Sequence, residues 1–338
     1  MDAIESWNNL ESSWGHLALV ENRFYQIGPF IVQLSFKSAS LPPILTQAFA
    51  HLEIKSAQSI DLTVRLWDTK ETSQPIPFLP WAKLVERGYQ GYRENDLYFH
   101  YFETLEACSI FHRQENIAYY IIRDHKELPW WISGAPLQII LHLWLREKGM
   151  HLTHTAAISN GKTAVLLSGK GGSGKSTTSL ACVAEGLYYL SEDYCILNPT
   201  PTPSALSIYQ SAKWRKQTRT LFPQYEHLIV NPKTADQEKA LLYYEDLFPT
   251  QIQKQAPVTS VISLRIGHGP EPVLQSQTPT ATISDLLLST VKQLPFYQPQ
   301  TIEIFQQFVK NTEHYQLILC QNMKKNVEII RKILCTSI

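Results

Sequence analysis

SGKGGSGKST, residues 168–177, holds four of the chain's 14 glycines. Gly169, Gly174, Lys175 and Ser176 complete the pattern G-x-x-x-x-G-K-[ST]. A loop of this composition can turn successive backbone N–H groups toward an anion, because glycines permit conformations and close approach that side chains obstruct. The run TAVLLS (163–168) before it reads as a short apolar strand, and GKSTTSLACVAEG (174–186) after it as a helix closed by Gly186. A helix starting near Gly174 aims its positive end at a bound phosphate. In that setting Lys175 bridges β- and γ-phosphates, and the Ser176 hydroxyl ligates Mg²⁺. The stretch therefore implies binding of ATP or GTP through Gly169, Lys170, Gly171, Gly172, Ser173, Gly174, Lys175, Ser176 and Thr177. It does not specify a reaction, since hydrolases, motors and kinases share it.

Working outward, LYYLS (187–191) reads as a second strand, so strand, loop, helix and strand form a βαβ unit. Glu192 and Asp193 follow it directly, and ligands of parallel α/β sheets sit beyond the carboxyl ends of the strands. One of these carboxylates can complete a Mg²⁺ shell with Ser176, and the other can accept the proton of an attacking hydroxyl. His154 lies upstream on HLTHTAAIS, a segment expected to form a strand beside TAVLLS. Taken alone, it reads more readily as an ordinary buried histidine.

The remaining chain divides by composition. Residues 1–130 read as a β-rich α+β domain: FIVQLSF (30–36), IDLTVRLW (60–67), DLYFHYFE (96–103) and IAYYIIRD (117–124) carry β-branched and aromatic residues in partial alternation. The Pro pair at 42–43 and PIPFLPW (75–81) separate them. LPWWISG (128–134) reads as a linker, APLQIILHLWLREKGM (135–150) as a helix opening the second domain, 131–338, and NMKKNVEIIRKIL (322–334) as a C-terminal helix. Zero formal net charge removes the simplest case for a nucleic-acid or acidic-membrane partner. No signal segment and no apolar run of membrane-spanning length is visible. Five scattered cysteines without C-x-x-C spacing fit reduced thiols, and the expected location is the cytoplasm.

The order of His154, the loop Gly169–Ser176 and the pair Glu192-Asp193 resembles the HPr kinase/phosphorylase family, whose catalytic domain is similar to phosphoenolpyruvate carboxykinase. SGKGGSGKST followed by CVAEGLYYLSEDYCIL looks most like the HPr-kinase-related proteins found beside peptide-modifying genes, some of which phosphorylate a serine of a ribosomal peptide. The resemblance covers His154 to Leu197 well and the rest of the C-terminal half in outline. It implies an α/β P-loop kinase domain that moves the γ-phosphoryl group of Mg-ATP to a hydroxyl, most naturally a serine of a peptide or protein. By the same resemblance Glu192 is the proton acceptor, Asp193 and Ser176 hold the metal, Lys175 holds phosphate, and His154 either faces the phosphates or supports the groups that do. A homo-oligomer is a further expectation of the family. The family's acid pair is usually Asp-Asp, so Glu192 departs from it by one methylene.

Other readings stay open. The acceptor can be a small molecule, such as an amino acid or a sugar alcohol. KGGSGKST also resembles the loop K-G-G-x-G-K-[ST] of partitioning and septum-site ATPases, in which the early lysine, here Lys170, works across a dimer. Those proteins lack an equivalent of His154 and usually carry D-x-D-P after the second strand. A regulatory module that binds nucleotide without transfer is the third. Lys213, Arg215, Lys216, Arg219, Lys239 and Arg265 are candidate cations for the γ-phosphate or an anionic acceptor, against the usual habit of Lys and Arg to be solvated. Trp130 and Trp131 either line a groove or pack.

Overall fold

A computed structural model describes residues 3–76, 84–85, 89–102, 105–291, 293–294 and 299–336, with backbone alone at 84–85 and 89–92. The breaker PIPFLPW lies outside the described residues from position 77 onward. The chain forms two compact units, Met1–Glu147 and Lys148–Ile338. No helix among the described residues is long and apolar enough to cross a membrane.

The N-terminal unit runs α1 (Ala3–His16), β1 (Glu21–Ile27), β2 (Phe30–Phe36), α2 (Pro42–Leu45), β3 (Glu53–Ile54), β4 (Leu62–Asp68), α3 (Thr69–Thr72), β5 (Leu84–Val85), β6 (Tyr89–Glu94), β7 (Leu97–Phe102), β8 (Ala107–His112), β9 (Ile117–Ile122), α4 (Trp130–Gly134) and α5 (Gln138–Glu147). Among the described residues its strands make one sheet, ordered β3-β1-β2-β4-β9-β8-β7-β6-β5. Only β4 pairs in parallel, with β2 and β9. Alternate residues of β4, β7, β8 and β9 turn Trp67, Phe99, Ile110, Tyr119 and Ile121 toward α1, which meets them with Ala3, Trp7 and Leu10. That i, i+4, i+7 spacing is one helix face. Glu11 on the same helix receives Arg65 at 2.5 Å and the Tyr119 hydroxyl at 2.8 Å. Asp68, Asp124 and His125 cluster tightly enough to suggest a metal site. Their carboxylate oxygens are instead engaged: Asp68 accepts from the backbone of Lys70, Glu71 and His125, and Asp124 from Lys70 and Lys126.

The domain boundary is corrected from 130/131 to 147/148. Helix α5 buries Ile140, Leu141, Leu143, Trp144 and Leu145 together, and the Trp144 ring meets Phe30 of β2 edge-on at 5.3 Å. An all-round apolar helix needs cover on every side, and α5 finds it within the N-terminal unit. LPWWISG is not a plain linker either; Trp130–Gly134 is the single turn α4 of that same unit.

The C-terminal unit continues with β10 (His151–Thr153), β11 (Ala156–Ser159), β12 (Ala164–Ser168), α6 (Lys175–Ala184), β13 (Tyr188–Ser191), β14 (Cys195–Asn198), β15 (Ser204–Leu206), β16 (Ser211–Trp214), α7 (Lys216–Leu221), β17 (Ala240–Tyr243), α8 (Tyr244–Leu247), β18 (Gln255–Ile266), β19 (Val273–Ser276), α9 (Pro279–Thr290), α10 (Pro299–Lys310), β20 (Glu313–Leu319) and α11 (Met323–Thr336). Its main sheet is mixed, ordered β10-β14-β15-β18-β12-β11-β13, with β20 on β18 and β19 on β20. Strand β12 is buried on both faces. Val165 and Leu167 join Leu180 and Val183 of α6 and Val327 and Ile330 of α11; Ala164 and Leu166 join Leu286 of α9 and Phe305 and Phe308 of α10. A strand covered on both sides reads as a continuous apolar run, as TAVLLS does. The unit is therefore mixed α/β with helices on both faces. The five cysteines are unpaired, and all but Cys335 are buried.

Candidate active site

The glycine loop leaves β12 at Ser168 and enters α6 at Lys175. Two glycines are demanded by space. A Cβ on Gly169 (φ +141°) would stand 2.5 Å from Ser173 Oγ and 3.0 Å from the Leu264 carbonyl oxygen. A Cβ on Gly174 (φ +100°) would stand 2.6 Å from Leu319 Cδ1. Within the loop the Ser173 amide donates to the Lys170 carbonyl at 3.0 Å. Lys175 is buried and turns its ammonium back onto the Gly169 carbonyl at 2.7 Å. Burial lowers its pKa, against the opposing field of Asp193 and Glu192.

Strand β11 is antiparallel to both β12 and β13, so the last two run the same way and their carboxyl ends share one rim. Glu192 and Asp193, one step beyond β13, thus emerge beside the loop. The Glu192 carboxylate is buried and accepts from the Lys213 amide at 3.0 Å; Ser176 lines the same cleft. Burial and the neighbouring Asp193 charge push its pKa up to about 7. Burial opposes ionisation of Asp193 as well, yet its carboxyl is held well below the usual range by the Lys213 ammonium at 2.9 Å and His154 Nε2 at 3.1 Å.

His154 does not lie within one long strand as expected. HLTHTAAIS is split into β10 and β11, which pair with β14 and with β12 and β13 respectively. The split sits at a tight turn in which the Thr155 amide donates to the Thr153 carbonyl at 2.9 Å. His154 occupies that turn, its amide fixed by the Thr290 hydroxyl of α9 at 3.3 Å.

These groups line one cleft of about 350 Å³. His154, Gly171, Gly172, Gly174, Lys175, Ser176, Thr177, Glu192 and Asp193 all face it, while Gly169, Lys170 and Ser173 of the loop do not line it. Lys213, Arg215 and Lys239 join them, and the rest of the basic set does not. Arg219 is engaged by Glu226 and Asp236, and Arg265 makes a two-pronged pair with Asp285 at 2.9 and 3.1 Å. Trp130 and Trp131 meet edge to face within the N-terminal unit. Sequence reasoning missed Gln217, Thr218 and Ile266, which also line the cleft. The Thr218 hydroxyl bonds that of Thr177 at 2.8 Å, tying α7 to the first turn of α6.

The loop's dependence on glycine is testable. Gly174→Ala places a side chain at positive φ against Leu319, and is expected to cost about 1–3 kcal/mol of stability. A thermal unfolding curve unchanged from the parent protein would contradict the geometry.

No protein-family model matches this chain, and no curated protein does. Among solved structures it is similar to the HPr(Ser) kinase/phosphatase from Coxiella burnetii, at 13% sequence identity and a TM-score of 0.32. The similarity covers 54% of this chain and 94% of that one. So loose a superposition assigns neither fold nor activity.

Proposed function

We propose that this chain transfers the γ-phosphoryl group of Mg-ATP to a hydroxyl, with a serine of a peptide or protein as the acceptor class. One observation carries the reading: Glu192 and Asp193 share a single cleft with the glycine loop, rather than lying across the sheet from it. Phosphoryl transfer demands little covalent work, so positioning and charge neutralisation do most of the catalysis. Lys175, Arg215, Lys213 and Lys239 supply the positive charge around the terminal phosphate. Glu192 takes the acceptor's proton. Its pKa near neutrality suits a base that must be ionised before reaction and hold a proton after it.

The donor set also fits a hard cation. Ser176 and Asp193 line the same cleft, so oxygen ligands of the kind Mg²⁺ prefers face it together; both Asp193 oxygens are held by His154 and Lys213, and an ion there would displace one of them. Ser176 and Asp193 would hold the ion. When bound, it neutralises charge on the phosphate oxygens. Asp193 stays ionised over the whole working range because Lys213 and His154 hold it so.

Incubation with labelled ATP, Mg²⁺ and separate pools of serine peptides, free amino acids and polyols, read by mass spectrometry, identifies the acceptor. ATP consumed with no labelled acceptor in any pool would remove the transferase reading.

The base assignment also fixes a pH dependence. Because Glu192 must be free of its proton, kcat/KM should rise with pH and level off above about 7. A rate already flat from pH 5 would assign the proton to another group.

A further inference from the structure

The chemistry above draws on the C-terminal unit alone, and the N-terminal unit holds a cavity of its own, of about 60 Å³. Its floor is the sheet face turned away from α1. Alternation along the strands sends Phe99, Ile110 and Tyr119 toward α1 and their neighbours His100, Ser109 and Tyr120 to the other side. The ladder sets these three directly opposite one another across β7, β8 and β9, so the floor carries a polar stripe. Helix α5 covers this face, with the Arg146 guanidinium 6.0 Å from the centre of the Tyr98 ring. The roof is the end of α4 and the start of α5.

Two short side chains make the room. Ala107 lies on the floor, opposite Phe102 in the ladder, and Ala135 lies on the roof; both are buried and fill little space. The turn between α4 and α5 is tightly held. Leu137 sits there at φ +57°, a left-handed conformation that bulky side chains rarely adopt, and its carbonyl accepts from the Leu141 amide at 3.0 Å. That turn brings Leu137 and Gln138 together over the cavity. Phe102, Ile132, Gln138 and Ile139 are half-buried, so the mouth lies among them.

The lining selects by charge and by hydrogen bonding. Among the described residues no lining side chain is charged, because burial pushes the His100 imidazole down to about 4 and keeps it neutral. An ionised ligand would lose its hydration there and gain no counter-charge. The Gln138 side-chain nitrogen is buried and has no hydrogen-bond partner among the described residues. A buried donor of this kind calls for an acceptor. Leu105 and Leu137 supply apolar wall. At roughly 10–15 Å³ for each water-sized position, the volume admits roughly four to six non-hydrogen atoms.

We propose that this cavity binds a compact uncharged molecule, its branched apolar body against Leu105 and Leu137 and its carbonyl oxygen accepting from the Gln138 side-chain amide. The site is independent of the phosphoryl-transfer reading and stands or falls without it.

Titration of the full chain with isobutyramide, followed by proton NMR, tests it. Binding should saturate with a Kd on the order of 1 mM, as suits so few atoms. Isobutyrate and isobutylammonium have nearly the same shape but carry a charge, and should bind at least about tenfold more weakly. Ala107→Leu fills the room and should abolish binding, with a thermal unfolding midpoint at or above the parent's. Gln138→Leu should weaken isobutyramide about two- to tenfold. Absence of saturation below about 100 mM would overturn the proposal and leave a cavity that holds water alone. Equal binding of the three probes, or unchanged binding in both variants, would overturn it too. Should Ala107→Leu not fold, the parent's comparison of the three probes and Gln138→Leu decide.

Discussion

Glu192→Gln should lower phosphoryl transfer by roughly 10²–10⁴-fold while leaving ATP affinity nearly unchanged. The substitution keeps the shape and one oxygen to accept from the Lys213 amide, and replaces the other, basic oxygen by an amide nitrogen. The same variant should be more stable than the parent at alkaline pH. The Glu192 pKa is raised from 4.5 to about 7, so the folded protein retains a proton that the unfolded chain has already lost. Stability from that proton is complete below about 4.5 and disappears as pH rises through about 7. Glutamine behaves as the permanently protonated form. At pH 8 it should therefore gain about 1–3 kcal/mol over the parent, and near pH 4 the difference should close. Thermal unfolding at the two pH values, beside transfer assays, separates the roles. A variant with normal turnover, or one destabilised at pH 8, would remove Glu192 from the position of a strained buried base.

Lys175→Ala is the second large expectation. The ammonium is buried at the start of α6, where it bonds the Gly169 carbonyl and faces both acids. Phosphates arriving over the loop would take it from that carbonyl. Truncation should therefore weaken ATP binding and, by analogy with removing one donor that stabilises developing charge, cut kcat by roughly 10²–10³-fold. The free protein should remain folded, since the carbonyl left behind belongs to a loop beside an open cleft and can turn to water. Unchanged ATP affinity with unchanged turnover would mean that the loop holds something other than a polyphosphate.

The glycine-loop part of the cleft was legible because it is local. Strand, glycines, lysine and hydroxyl all lie within 163–177, and each is constrained by backbone geometry that only a few residue types satisfy. The acids were legible for a related reason: they come directly after the next strand of the same unit. The basic residues were not, and the cause is tertiary. Lys213 reaches the cleft because β16 pairs with β17, which sets Trp214 opposite Ala240 and so brings Lys239 to the same end of that ladder. Nothing in AKWRKQTRT distinguishes Lys213 and Arg215 from Lys216 and Arg219, yet the first two face the cleft and Arg219 is spent on Glu226 and Asp236. The split at His154 was hidden for a similar reason, since HLTHTAAIS carries no Gly or Pro and breaks only because its halves have different partners. In the N-terminal unit, α1 escaped notice because its apolar residues are few and widely spaced, and α5 was assigned to the wrong unit because an apolar helix does not announce which core will receive it.

Strand β18 has a consequence for how the protein is made. It begins beside β15 and then runs between β12 and β20, so the strand feeding the loop gains its far neighbour only from residues such as Ser263, 95 positions after Ser168. Long-range pairing of this kind is slow to nucleate. On a ribosome, the short signature would emerge early and stay without its scaffold until most of the remaining chain had followed. A fragment ending soon after the paired acids would contain every residue of the signature and still lack the strand that flanks β12.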